Sequence, residues 1–278
     1  MEILDPLKIP PTPVQKANLS MDFLKLSTWL LHSLVEYLNT HEPGWKTHPI
    51  QSHIVMPMKS WKAAHGAQFP QFKTHVWSMF EFWDLEFGIT DLGNPRNAGG
   101  YDDRHKVVVL NSLGLVRMLT ERKAVAVLSH ELRHAYDDLI SKGHGLGTGS
   151  AHVQDYREYL ALPSEVRARF TEMEPALIQE LYFADGHIKD VSYFKVMIPQ
   201  LLKDYELSPR DLSRHAQPIK LYQKLIARAY TLKQSMDKLS QAERAQIIAQ
   251  IQSVGQAGQP TATKLNWWQR IKQKFALT

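Results

Sequence analysis

The sequence contains no cysteine, which removes disulfide staples, thiolate metal ligands and cysteine nucleophiles together. Any metal bound by this chain is therefore held by His, Asp or Glu. The absence suits a reducing cytoplasm, and equally a chain exported by a dedicated machine or packed in a particle. No apolar run reaches the roughly eighteen residues that a membrane span needs. Met1 to Pro13 mixes Glu2, Asp5 and Lys8 with prolines, unlike the basic-then-apolar design of a signal peptide. Neither a transmembrane segment nor ordinary signal-peptide export is expected. The expected location is the cytoplasm, or delivery without a classical signal peptide as an effector or in a phage particle. No internal repeat is found. Charge of one sign is not gathered into blocks either: the net charge is +5, but Lys and Arg are largely interleaved with acids. This reads as a solvated surface, and nucleic acid is not the expected partner.

What is present supports a globular fold. With 278 residues, 44% hydrophobic and 10% aromatic, the chain can bury a sizeable core. The expected class is α+β and mainly helical: a small β-sheet with an edge strand next to an active-site helix, followed by a helical subdomain. Residues 1–20, with Pro6, Pro10, Pro11 and Pro13, read as an extended arm. A helix is predicted over 21–38, where Phe23, Leu24, Leu26, Trp29, Leu30, Leu34 and Leu38 recur at helical spacing. A short strand is predicted at 53–56 and an aromatic-rich helix at 71–83, ended by the glycines and Pro95 of 88–100. Lys106 to Leu110 is the clearest strand, since Val107, Val108 and Val109 are β-branched, with Gly99 to Tyr101 as a partner strand or turn. A short helix at 113–118 and a longer one at 121–140 follow, closed by the glycine-rich 143–149 loop. Helices are predicted at 163–183, 189–205, 216–236 and 240–252, then a linker at 255–263 and a last short helix at 265–277. The implied organisation is an arm (1–20), a catalytic domain (21–185), a helical subdomain (186–254), and a linker with an amphipathic C-terminal helix (255–278).

The chemistry lies in His130-Glu131-Leu132-Arg133-His134. Two histidines four apart on a helix project from one face about one turn apart, a separation that one zinc ion bridges. Glu131, offset around the helix, suits a residue that takes a proton from water without binding the ion. Leu128, Leu132, Ala135, Tyr136 and Leu139 form an apolar stripe, while Val127, His130, Glu131, His134 and Asp138 share a neighbouring face. Histidine is abundant, with 13 copies, so an accidental match is the plain alternative. The order valine-rich strand, connecting helix, His-Glu helix argues against accident, because such a strand can form a cleft edge and pair with an extended peptide through Val108 and Val109. A catalytic zinc usually takes three protein ligands and a water. Glu165 is the best candidate for the third, since Pro163 and Ser164 can open a helix with its carboxylate in the first turn. His144, His152, Asp155, Glu158 and Glu174 remain rivals. Asp137 lies three residues after His134 and Asp138 four, so either can accept from the non-ligating nitrogen of an imidazole.

The run His130 to Asp138, followed by a glutamate opening a downstream helix in Pro163-Ser164-Glu165-Val166-Arg167-Ala168, resembles the gluzincin metallopeptidases of the thermolysin, neprilysin and anthrax-lethal-factor types. It is also similar to small bacterial and phage-encoded peptidases. The likeness covers roughly Gly99 to Phe170. The metzincin continuation is missing, since Asp137 and Ile140 occupy its glycine and final histidine positions. The resemblance implies a zinc cofactor, a peptide or protein substrate, Glu165 as third ligand, Glu131 as general base and Asp137 as acceptor for an imidazole. It further implies an oxyanion donor, for which Tyr159, Tyr156 and His187 are the candidates. Two other functions compete. One is a zinc-stabilised binding or structural protein without proteolysis. The other is membrane or partner attachment through the C-terminal helix, where Lys264, Arg270, Lys272 and Lys274 lie beside Trp267, Trp268 and Phe275.

Overall fold

The computed structural model describes residues 19–48, 50, 53–65, 75–121 and 123–140, together with some residues within 159–173 and within 227–249. Residues 1–18 of the arm, the 143–149 loop, the 189–205 helix and everything from residue 250 onward lie outside them, while the arm's last two residues, 19 and 20, are helical rather than extended.

A long amphipathic helix, α1 (Leu19–His41), comes first. Its apolar residues, from Phe23 through Leu38, are buried as their spacing predicts. Then follow β1 (Ile54–Pro57), α2 (Met58–His65), α3 (His75–Phe82), β2 (Glu86–Thr90), β3 (Gly99–Asp102), β4 (Val107–Asn111), a 3-10 turn (Ser112–Gly114), α4 (Leu115–Thr120) and α5 (Ala124–Ile140). The four strands form one mixed sheet in the order β1-β2-β4-β3. β2 runs parallel to β4, and β1 and β3 flank them antiparallel. The α+β class is thus present. Helix α5 lies against β3 and β4, and α1 packs over α5. Edge-to-face contacts join Phe23 to Tyr136 and Trp29 to Trp77. At the α1–α5 crossing the buried Ser27 hydroxyl donates to Ser129 Oγ at 2.8 Å, and Ser129 in turn donates to the carbonyl of Val125 at 2.8 Å.

Besides helix α2, which the sequence reading did not foresee, two elements depart from it. No strand was expected after α3, where the glycines and Pro95 of 88–100 read as the end of the helix. Glu86–Thr90 form β2, and the glycine is required there: a Cβ on Gly88 would lie 1.8 Å from the carbonyl oxygen of Ile54 and 2.7 Å from the Cα of Val55. Two backbones approach where no side chain fits. The cleft edge is the second departure. β4 was expected to supply it through Val108 and Val109, yet β4 is an inner strand. Val108 is paired with Phe87 on one side and Tyr101 on the other, Val109 with Gly88 and Gly100. Both backbones are consumed within the sheet, and the Val108 side chain is fully buried. The edge beside α5 is β3.

Asn111 closes the sheet's working end. Its amide donates to the carbonyls of Asn94 (2.8 Å) and Asn97 (2.6 Å), and its carbonyl oxygen accepts from the backbone N–H of Leu113 at 3.1 Å. One buried side chain thereby ties down the loop between β2 and β3 and starts the turn into α4.

The Gly88 approach sets a test of the register. Gly88→Ala is expected to destabilise the protein by about 3 kcal/mol, more than ordinary overpacking, because backbone must move. Urea unfolding followed by circular dichroism measures it, and a change under ~1 kcal/mol contradicts the β1–β2 pairing.

Candidate metal centre

Helix α5 buries Leu128, Leu132, Ala135, Tyr136 and Leu139, so the stripe read from the sequence is its anchor. That fixes the direction of the opposite face. His130 and His134 turn toward helical residues at positions 164, 165, 167–169 and 171–173, and the Glu165 carboxylate enters between the two rings. The Nε2 atoms of His130 and His134 are 3.1 Å apart. Glu165 Oε1 lies 3.1 Å from His134 Nε2, and Oε2 lies 3.6 Å from His130 Nε2. Tetrahedral ligands 2.0–2.1 Å from a zinc ion are about 3.3–3.4 Å from one another, so these three spacings bracket that edge length.

The chemistry of the donor set agrees with a cation. Glu165 and His130 are buried, and Oε2 of Glu165 has no hydrogen-bond partner. A buried carboxylate oxygen left unpaired is costly, and a metal ion is the partner that would satisfy it. His130 Nδ1 faces a second buried carboxylate, Glu172 Oε2, at 3.0 Å. An ionised carboxylate only accepts, so Nδ1 carries a hydrogen and Nε2 is the ring atom that faces the shared centre. His130, His134 and Glu165 form the metal-compatible group found among the described residues.

The electrostatics follow. Burial disfavours charge on His130, but its contacts with Glu165 and Glu172 outweigh this and push its pKa up to about 10. Burial likewise opposes ionisation of Glu165, and the imidazoles beside it overcome that and hold its carboxyl well below the usual carboxylate range. In the metal-free protein a proton therefore does the work of the cation.

Glu131 stands apart from the three donors and faces the sheet. A Cβ added to Gly99 on β3 would come within 3.3 Å of Glu131 Cγ and 3.4 Å of Val127 Cγ1, so the glycine makes room for the stem of this side chain. Burial raises the Glu131 pKa, although the neighbouring imidazoles pull it down. Tyr159 lies at the centre too, and its hydroxyl hydrogen-bonds the Glu165 carboxylate. Burial and that bond raise its pKa far above the ordinary phenol value.

Asp137 was expected to orient an imidazole. It does not: its Oδ1 accepts from Arg133 Nε at 2.9 Å and its Oδ2 from Arg167 Nε at 2.6 Å, which occupies both oxygens with guanidinium groups. Asp138 turns to the strand instead, accepting from the Tyr101 hydroxyl at 2.8 Å. The imidazole acceptor is Glu172, which sequence reasoning missed. Its signal was available: seven residues after Glu165 is two helical turns, so both carboxylates share a face. His144, His152, Asp155, Tyr156, Glu158, Glu174 and His187 lie outside the described residues. Comparison with protein-family models, curated proteins and solved structures finds no match, so the functional reading rests on this geometry and on the motif residues themselves.

Zinc uptake should be proton-linked. Because the His130 pKa is raised, the proton is present below about pH 10 and zinc must displace it. Apparent affinity is expected to rise about tenfold per pH unit across neutral pH, with about one proton released from this site. Titration calorimetry in buffers of different ionisation enthalpy checks this. Conversely, the stability that these contacts lend the metal-free protein is complete below the ordinary histidine pKa near 6.5 and is lost as pH rises through about 10. Glu172→Gln should weaken zinc binding by about tenfold or more.

Proposed function

We propose that this protein is a zinc-dependent peptide hydrolase of gluzincin type, with His130, His134 and Glu165 holding the ion and Glu131 acting as general base. One observation carries the reading: a donor set that demands a cation sits beside a carboxylate that is not part of it and that burial makes more basic. A purely structural zinc site closes its fourth position with protein and has no use for such a neighbour.

Zinc bound by two neutral imidazoles and one carboxylate supplies Lewis acidity that polarises a carbonyl and brings the pKa of water toward neutrality. The chain supplies the rest. Glu131 accepts the proton of the attacking water on a carboxylate oxygen and returns it to the departing amine; its raised pKa strengthens it for the first step and leaves it acidic enough for the second. Glu172 keeps the His130 ring in one tautomer. Tyr159 is the donor assigned to the oxyanion, with its hydroxyl kept at the centre by Glu165. An extended peptide is the substrate form that suits β3, whose outer edge carries no partner strand among the described residues, and where Gly100 leaves open space.

Glu131→Gln is expected to lower hydrolysis of casein or of a peptide library by about 10²–10⁴-fold while zinc content stays at the wild-type level. His130→Ala and His134→Ala should lose both. Metal analysis paired with the cleavage assay tests the assignment, and near-normal turnover by the Gln variant sinks it.

A further inference from the structure

We infer that Asp137 and Arg167 are positioning residues for the third metal ligand: their ion pair fixes the rotation of the segment that carries Glu165, and so sets the affinity of the centre for its metal. The inference rests on the metal-site reading above and adds a determinant that touches neither the metal donors nor the general base.

The argument is one of helix geometry. Successive residues of a helix turn by about 100°. Glu172, seven residues after Glu165, returns to within about 20° of the same direction, and both carboxylates meet His130. Arg169, four residues after Glu165, points within about 40° of it and also approaches Glu172, at 3.9 Å. These charged contacts lie on one side of the segment, while Ala168, Thr171 and Met173 bury other sides of it. Arg167, two residues after Glu165, leaves the helix about 200° away, and its side chain reaches back to Asp137 on α5 at 2.6 Å. A segment with charged contacts on one face and only non-directional burial elsewhere keeps some freedom to roll about its axis. One held at a second, nearly opposite point does not. Rolling by even a fraction of a turn would swing the Glu165 carboxylate away from the two imidazoles.

The pair is built for this duty. Asp137 is buried, with side-chain exposure of 5%, and Arg133 of the same helix occupies its other oxygen at 2.9 Å. Arg133 also lies over the Tyr136 ring, 5.9 Å from its centroid. The acceptor is therefore fixed on α5, the helix that carries both histidines, before Arg167 meets it. Truncating either member removes the second grip while leaving His130, His134 and Glu165 chemically intact.

The test is zinc affinity measured by chelator competition on the full chain. Asp137→Asn and Arg167→Gln should each weaken zinc binding by about 10–100-fold, the range found when groups supporting metal ligands are removed. The double variant should be no weaker than the worse single one, because both break the same link. Arg167→Lys, which keeps a cation for Asp137, should recover most of the loss, a rescue that general damage to the fold would not give. Cobalt-loaded Arg167→Gln should show an altered visible spectrum, reporting a changed ligand set. If Asp137→Asn does not fold, the comparison of Arg167→Gln with Arg167→Lys decides. Variants that bind zinc within threefold of wild type, or losses that multiply in the double variant, overturn the inference alone. A wild-type chain that takes up no zinc overturns the metal centre as well.

Discussion

A carboxylate buried between two imidazoles is the interaction on which the arrangement turns. Glu165 is almost wholly removed from solvent, and an ionised carboxyl in such surroundings must find compensating charge or take up a proton. Here the imidazoles keep it ionised. Three basic atoms then converge on one point, and bare lone pairs do not converge without a positive charge among them. His130 meets the need by retaining a proton, at the cost of placing an imidazolium in a buried site. A divalent ion would meet it better, since it would satisfy all three donors and the orphaned Oε2 together. The pull toward a metal thus arises from burial and geometry and depends on no particular catalytic role.

That convergence needs a rigid base, which α5 supplies. Its apolar stripe is clamped between α1 and the sheet, with the serine pair and the Phe23–Tyr136 contact fixing the α1 side. Burial of about five large or medium apolar side chains on this helix contributes several kcal/mol, and it holds the motif residues to their directions. The helix is core on one side and carries the candidate metal donors on the other.

Much of this was legible in the sequence because it depends on periodicity. The stripe of α5, the buried face of α1 and the His-x-x-x-His pair are all statements about a 3.6-residue repeat, and they survive into the structure. The Glu165 assignment rested on a helix start at Pro163 and Ser164, and that carboxylate does meet the two histidines. What failed were statements about partners distant in sequence. β2 was missed because Gly88 reads, with the other glycines and Pro95, as the end of the preceding helix, and its purpose appears only once β1 lies against it. Val107 to Val109 have the strongest strand propensity, but propensity does not say which strand is outermost. The least strand-like segment, Gly99–Asp102, is the edge, and its glycines make room for Glu131 and leave the outer face open. Asp137 had the correct spacing for an imidazole partner. Two arginines, one of them thirty residues away in sequence, compete for it more strongly than a neutral ring nitrogen would.

The fates of Asp137 and Asp138 follow from the same helical arithmetic as the motif. Seven residues on a helix nearly restore direction, so Asp137 repeats the direction of His130, and Asp138 repeats that of Glu131. His130 faces the Glu165 segment and Asp137 reaches Arg167 on it. Glu131 faces Gly99 on β3 and Asp138 takes the hydroxyl of Tyr101 on that strand. Each half of the centre thus has its own strut two turns along α5, one bracing the ligand segment and the other the edge strand. Both acids sit near the C-terminal end of the helix, where the macrodipole disfavours negative charge. Their cost there is offset by the guanidiniums on one and the phenol on the other. The candidate metal donors and the edge strand are therefore spaced by a single helix, and the contacts to each are made by neighbouring residues pointing about 100° apart.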